Sequence, residues 1–307
     1  MAPVHATAVD AAHRRGGWSP DIDARLTTLE SPVRDVLAPW LEALADADRI
    51  TLVPDAHYPF HPSSGMVTDP AVVGAIVTLL ERETDADIAV AGASDETISF
   101  DRTAEYLGYT SLLERFDTPL IDLSAESRTE EGCTIDGTPV ALSIPERLVE
   151  STVVVVPSLR PTADGPVVGA MRTLAALVDA SVASELAPVA ATRVIEPAAA
   201  LVDGTTAYGG EPVAADVLFA GAPSAVDAVA SSLLGRSLET DTALKTARAD
   251  ENPVSVDGDV DFDRLRARIP DGDLPPADDP HPVVTSAYRV YAAVAGDAVP
   301  PQLEGGR

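Results

Sequence analysis

Thr152-Val153-Val154-Val155-Val156, followed by Pro157-Ser158-Leu159-Arg160, is the stretch from which the fold can be read. Consecutive valines suit a strand covered on both faces, because a half-buried strand would alternate apolar with polar side chains. A polar, Pro-rich loop follows it, and then a helix is expected from about residue 166 to 178. The same order of strand, loop and helix recurs outward in both directions. Toward the N-terminus, Arg49-Ile50-Thr51-Leu52-Val53-Pro54 reads as a buried strand. Asp69-Pro70 opens a helix running to about Arg82, with the acid at the N-cap and proline at the first helical position. Asp87 to Gly92 is the next expected strand, with helical stretches around 100–107 and 110–116 and a short strand over Leu120 to Leu123. Toward the C-terminus, Asp216 to Ala220 reads as a strand, and Pro223 begins a helix ending near Leu234. This repetition implies an α/β fold: a mostly parallel sheet with helices on both faces. Residues 129–144 alternate around Asp136-Gly137, a type I′ turn pair, and add a β-hairpin excursion.

The flanks read differently. Residues 1–19 look like a loose arm. Leu26, Leu29, Val33, Val36, Leu37, Leu41 and Leu44 recur at helical spacing, with Pro32 and Pro39 dividing them into short helices. Residues 250–282 are rich in Asp and Pro and read as an extended, solvated linker, with Val284 to Val294 as a last helix. The expected organisation is an N-terminal arm with helices over 1–48, an α/β core over 49–249, and an acidic linker with a C-terminal helix over 250–307. A chain of 307 residues suits one large α/β domain or two at ~150 residues each.

Composition narrows the chemistry. Lys and Arg total 21 against 49 Asp and Glu, a net charge of −28. Such a chain is repelled by phosphate backbones and anionic lipid, so neither nucleic acid nor a membrane surface is an expected partner. Lys245 is the only lysine, which argues against Schiff-base chemistry and a Gly-Lys-Ser/Thr phosphate loop. Cys133 is the only cysteine, so no disulfide framework, thiolate zinc site or cysteine-held iron–sulfur cluster is available within this chain. The 46% hydrophobic content, arranged in compact runs, outweighs the 4% aromatics that would otherwise suggest disorder. The expected protein is folded, with a halophile-type carboxylate-rich surface whose repulsion is screened at multimolar salt. Arg14-Arg15 is followed by Gly16-Gly17-Trp18-Ser19-Pro20 rather than an apolar stretch, and no apolar run approaches ~18 residues, so the cytoplasm is the expected location.

Ligands of open α/β sheets bind beyond the carboxyl ends of the strands. Asp55, His57 and His61 share one such exit loop and could offer a carboxylate and two imidazoles to a zinc or iron ion. His57 or His61 could equally do acid–base work without a metal, or simply pack in a solvated loop. Arg160 and Arg172 flank the loop after the valine strand. Arg160 could clamp a carboxylate or phosphate of a small anionic molecule, or form a surface salt bridge. Ser94 and Asp95 after Gly92, and Ser224 after Gly221, stand where strands hand over to helices and could bind a ligand or cap those helices. Asp227 either favours the positive end of its own helix or reaches into the cleft. Asp203 with Gly204 and Gly209-Gly210 reads as a flexible loop over the same region, a candidate lid. Neither Gly-x-Gly-x-x-Gly nor Gly-x-Ser-x-Gly occurs.

Four segments together resemble the family called domain of unknown function 362, whose members are often labelled iron–sulfur centre proteins. They are Val53-Pro54-Asp55 with Thr68-Asp69-Pro70; Gly108-Tyr109 leading to Leu120–Leu123; Val153 to Leu174; and Val202-Asp203-Gly204 with Gly209-Gly210-Glu211-Pro212 and Phe219 to Val229. The likeness runs from about residue 49 to 236 and implies the α/β fold. Where the family has Lys-Pro-Asn, this chain has Val53-Pro54-Asp55. The family's loop lysines are replaced by Ser158 and Arg160, and its helix Lys-Asn by Arg172-Thr173. The resemblance implies no particular reaction. Two function classes follow: metal- or His-assisted proton transfer on a small anionic substrate, or a non-catalytic binding or accessory module for a separate redox protein. The Asp/His loop favours the first, and the missing lysines and cluster favour the second.

Overall fold

The structure is a computed structural model that describes residues 3–11, 21–95, 98–163, 165–181, 185–249 and 253–274. Its strands are β1 (Val4–Ala8), β2 (Arg49–Pro54), β3 (Asp87–Gly92), β4 (Leu120–Asp122), β5 (Arg128–Ile135), β6 (Thr138–Pro145), β7 (Thr152–Val156), β8 (Asp179–Ala180), β9 (Ala199–Tyr208), β10 (Pro212–Gly221) and β11 (Val256–Gly258). The α-helices are α1 (Ile22–Leu37), α2 (Leu41–Ala45), α3 (Pro70–Glu83), α4 (Phe100–Leu107), α5 (Tyr109–Leu113), α6 (Glu146–Glu150), α7 (Gly169–Ala175), α8 (Ala187–Ile195), α9 (Pro223–Leu233), α10 (Thr242–Ala247) and α11 (Phe262–Arg268).

The main sheet has 8 strands in the order β11-β1-β10-β9-β7-β2-β3-β4. Five of them, β9, β7, β2, β3 and β4, are mutually parallel. β10 runs antiparallel to β9 and to β1, and β11 lies parallel to β1. Along the chain, β2 leads to β3 and β4 on one side, and β7 then starts the run to β9 on the other. The strand order therefore reverses between β2 and β7, which pair from Ile50↔Thr152 to Pro54↔Val156. A crevice opens at such a reversal because the helices that follow the two strands depart to opposite faces.

The valine run occupies the position it was read for. Val153 and Val155 belong to one core, built with α7, α8, α9 and the β5–β6 hairpin, while Val154 and Val156 belong to the other, built with α1, α3, α4 and α5. Both faces are apolar, as a strand covered twice requires. α3 is buried along most of its length, and Asp69 caps it by accepting from the Ala71 N–H. The hairpin turns through Asp136 and Gly137, both at positive φ, and β6 pairs with β8 in a separate 3-stranded sheet. Among the described residues no helix is long and apolar enough to cross a membrane.

Several local expectations change. The arm expected over 1–19 supplies β1, whose Val4 and Ala6 are buried against the free edge of β10. The linker expected over 250–282 contributes β11, beside β1, and α11, which Leu265 and Ile269 anchor in the core. The strand expected over 216–220 spans Pro212–Gly221 and forms a ribbon with β9, which was not foreseen. Gly209-Gly210 is the tight turn of that ribbon and not a lid. A Cβ on Gly209 would lie 2.2 Å from the Pro270 carbonyl oxygen, so the turn is closed down against the segment after α11. The helix expected to 178 is confined to α7, and the one expected over Val284 to Val294 lies outside the described residues.

Candidate functional site

The exits of β2 and β7 are tied together before any functional side chain is considered. The Asp55 N–H donates to Thr68 Oγ1 at 3.0 Å, and the Thr68 N–H returns to the Asp55 carbonyl at 2.9 Å. Thr68 Oγ1 also donates to the Val156 carbonyl. The loop after β7 is laced to β9, with the Leu159 N–H donating to the Asp203 carbonyl and the Asp203 N–H to the Pro157 carbonyl.

Asp55 is the centre of this arrangement. Its Oδ2 accepts from Ser158 Oγ at 2.6 Å and Arg160 Nε at 2.9 Å, and its Oδ1 accepts from Arg160 Nη2 at 3.2 Å. His57 Nδ1 lies 2.7 Å from the same Oδ1. Burial would raise the Asp55 pKa, but the Arg160 and His57 charges and hydrogen bonds more than reverse it and hold the carboxyl well below the usual range. An ionised Asp55 can only accept, so the His57 contact requires Nδ1 to carry the proton and leaves Nε2 as the available ring nitrogen. The His57 side chain is 47% exposed, so the ring itself stands open to a ligand.

Arg160 is neither an open clamp for an anion nor a surface salt bridge. It is 5% exposed, holds Asp55 through two nitrogens, and donates with Nη1 to the Pro161 carbonyl. The carboxylate at the exit of the neighbouring strand has taken the cation. The metal triad expected of Asp55, His57 and His61 is not assembled. Among the described residues no three His, Cys, Asp or Glu side chains are placed to hold one ion. The Asp55 oxygens are committed to Ser158, Arg160 and His57, and His61 instead caps the short turn Pro62–Ser64, with Nδ1 2.7 Å from Ser63 Oγ. Burial lowers the His61 pKa, Asp69 raises it, and Arg25 lowers it.

A second carboxylate group adjoins the first. Asp203 accepts from the Asp69 N–H at 2.7 Å, and from the Thr205 N–H and hydroxyl at 2.9 and 2.7 Å. Burial, then the neighbouring Asp69 charge, push its pKa up to about 6. Asp69 pairs with Arg25 of α1. The Tyr109 hydroxyl donates to the Thr68 carbonyl at 3.1 Å; burial first, then Asp69, Asp203 and Asp55, drive its pKa well up. Arg25 was not singled out in the sequence; its one signal is a charge standing one turn before Leu29, in line with the buried face of α1. Asp69 was legible only as a cap.

The remaining expected residues are engaged elsewhere. Ser94 binds Asp122 through its N–H and hydroxyl, and Asp95 accepts from the Ile98 N–H, so both organise the loop after β3. Arg172 pairs through two nitrogens with Asp241, each at 2.9 Å. Asp227 accepts from the Ala170 and Met171 N–H groups at 2.6 and 3.0 Å, capping α7 from α9. Burial pushes the Asp227 pKa up to about 7 against the lowering effect of those bonds. Ser224 is buried in the first turn of α9. The structure thus gathers Asp55, His57, Ser158 and Arg160, with Asp203 beside them, while Ser94, Asp95, Arg172 and Asp227 make the other contacts just described. A groove of about 580 Å³ lined by Asp101, Glu105, Glu114, Asp117 and Leu120 lies at α4 and α5, whereas at the exits of β2 and β7 Asp55 and Arg160 are buried against each other.

Fold and geometry define a doubly wound α/β protein with a buried Arg–Asp pair at the reversal of strand order and a half-exposed histidine above it. The sequence model of a domain of unknown function (DUF362) matches residues 50–232, and the chain belongs to that family. No curated protein and no solved structure matches it.

Proposed function

We propose that this site is an acid–base centre for a small molecule bound above β2 and β7. His57 Nε2 takes or gives the proton, Asp55 fixes the ring tautomer, and Arg160 with Ser158 keeps Asp55 ionised. The observation that carries this reading is the 2.7 Å contact from Asp55 to the ring of a half-exposed His57. A buried carboxylate behind an accessible imidazole selects the tautomer and stabilises the imidazolium formed during proton transfer. The substrate is a molecule with an acidic proton or a basic atom that reaches Nε2. Anionic character is not part of this reading, because the cation expected to draw an anion is already neutralised by Asp55.

One observation favours the second class, a non-catalytic binding or accessory module: the buried cation at the strand exits is already paired with the chain's own Asp55. Ring ¹⁵N NMR separates the two. The acid–base reading requires the Nδ1–H tautomer in the wild type and its loss in Asp55→Asn, whose amide can donate to Nδ1 instead. A ring that samples both tautomers equally in the two proteins would sink the acid–base reading and leave the accessory one.

A further inference from the structure

The family match begins at residue 50, yet a charged group of this site comes from α1, earlier in the chain. Asp21 caps α1 by accepting from the Ala24 N–H, which starts the helix so that Arg25 falls in its first turn. Leu29, Val33, Val36 and Leu37 continue the face on which Arg25 stands into the core the helix shares with α3. Arg25 and Asp69 then meet with their side chains only 12% and 11% exposed. Asp69 has three further attachments. Its Oδ1 accepts from the Ala71 N–H, its own N–H donates to Asp203, and its chain neighbour Thr68 is bonded in both directions to the Asp55 backbone. Charges are unevenly distributed around this point. Asp55, Asp69 and Asp203 surround Tyr109, Arg160 is committed to Asp55, and Arg25 is the cation that faces Asp69.

We propose that Arg25 is a positioning residue of this site, and that α1 is therefore part of the functional unit: by holding Asp69, it holds Asp203 directly and Asp55 through Thr68. Its functional meaning rests on the acid–base reading of His57. An ion pair this well buried fixes geometry more firmly than an exposed one, because neither partner is resolvated by a small displacement. Removing the guanidinium leaves the Asp69 carboxylate, whose charge already raises the Asp203 pKa, without its paired cation. The Asp203 carboxyl should then hold its proton to higher pH, by about one unit, the low end of what a neighbouring charge does to a carboxyl. Tyr109, Asp55, His61 and Arg160 also surround this point and are unchanged by the substitution.

The test is a carboxyl ¹³C titration of the full chain in molar KCl, with the His57 ring ¹⁵N spectrum recorded on each sample. The samples are wild type, Arg25→Gln, Arg25→Lys and Asp55→Asn. Arg25→Gln should raise the Asp203 midpoint by about one unit and mix the His57 tautomers, and Arg25→Lys should restore most of both. An unchanged Asp203 midpoint and tautomer in Arg25→Gln, even with a lower melting temperature, reduces Arg25 to a packing ion pair and overturns the inference. If Arg25→Gln does not fold, Asp69→Asn opens the same pair from the other side and removes the charge that raises Asp203. The midpoint should then fall, and no fall overturns the inference. Asp55→Asn leaving the tautomer unmoved would instead overturn the acid–base reading, so the two failures are distinguishable.

Discussion

Arg160→Ala should be among the most damaging single substitutions near the site, and its effect should depend on pH. The Arg160 side chain is 6% exposed and that of its partner Asp55 4% exposed, so neither is resolvated when the other is removed. Breaking a buried pair from one side costs about 3–5 kcal/mol. Ser158 and His57 still donate to Asp55, which places the loss near the low end, about 3 kcal/mol. At roughly 2–4 °C per kcal/mol for a domain of this order of size, the melting temperature should fall by about 6–12 °C. The pH sign follows from the depressed Asp55 pKa. Its stabilisation is present above the unfolded carboxyl value of about 3.9 and is lost as pH falls toward the folded value. Without Arg160 the buried carboxyl protonates in milder acid and then needs no cation. The deficit should therefore be complete near neutral pH and shrink below about pH 4. Arg160→Met combined with Asp55→Leu should recover most of the loss, since no charge remains unpaired. Urea unfolding in molar KCl at both pH values measures this, because urea does not add ionic screening. A neutral-pH deficit under about 1 kcal/mol, the range of an exposed ion pair, would refute the reasoning, as would equal deficits at the two pH values.

Gly169→Ala should destabilise by about 2–4 kcal/mol, because its φ is +55° and the new Cβ would lie 2.3 Å from the Asp227 carboxyl carbon; a melting temperature within a degree of wild type would contradict this. Asp227 has its pKa raised from 3.8 to about 7, so its contribution is complete below about pH 4 and lost as pH rises through 7. Wild type should accordingly lose stability relative to Asp227→Asn across that window, and a constant difference in urea midpoint would count against the assignment. With a net charge of −28, secondary structure should be lost on dialysis to low salt and regained in molar KCl, as followed by far-ultraviolet circular dichroism. Unchanged spectra at low ionic strength would show that carboxylate repulsion does not govern folding.

What was legible locally came from patterns that need no partner to be recognised. Val153 to Val156 announces a strand covered twice, Asp69-Pro70 a helix start, and Asp136-Gly137 a reversal. Each follows from the conformational preferences of a few adjacent residues. β1 escaped this reading because Val4-His5-Ala6-Thr7-Ala8 is short and weakly apolar, and the open edge of β10 makes it a strand. Gly209-Gly210 looked mobile for a related reason: glycine permits many conformations, and the segment from Pro270 to Gly272 that removes this freedom lies far along the chain.

At the site, the sequence alone determined that Asp55, His57, Ser158 and Arg160 stand at strand exits, because a strand's end is visible in its own composition. It could not decide which charges would meet. Asp55 and Arg160 are separated by 105 positions, and they pair because Pro54 and Val156 lie opposite each other in adjacent strands. That register spends the arginine on the carboxylate, leaves His57 as the exposed group, and turns His61 toward Ser63 and away from a shared metal. Arg25 enters in the same way, through the packing of α1 on α3. Local preferences set where each side chain leaves the backbone. Which charge it meets depends on the low-dielectric space between elements, where a buried ion needs a partner, and only the tertiary structure supplies one.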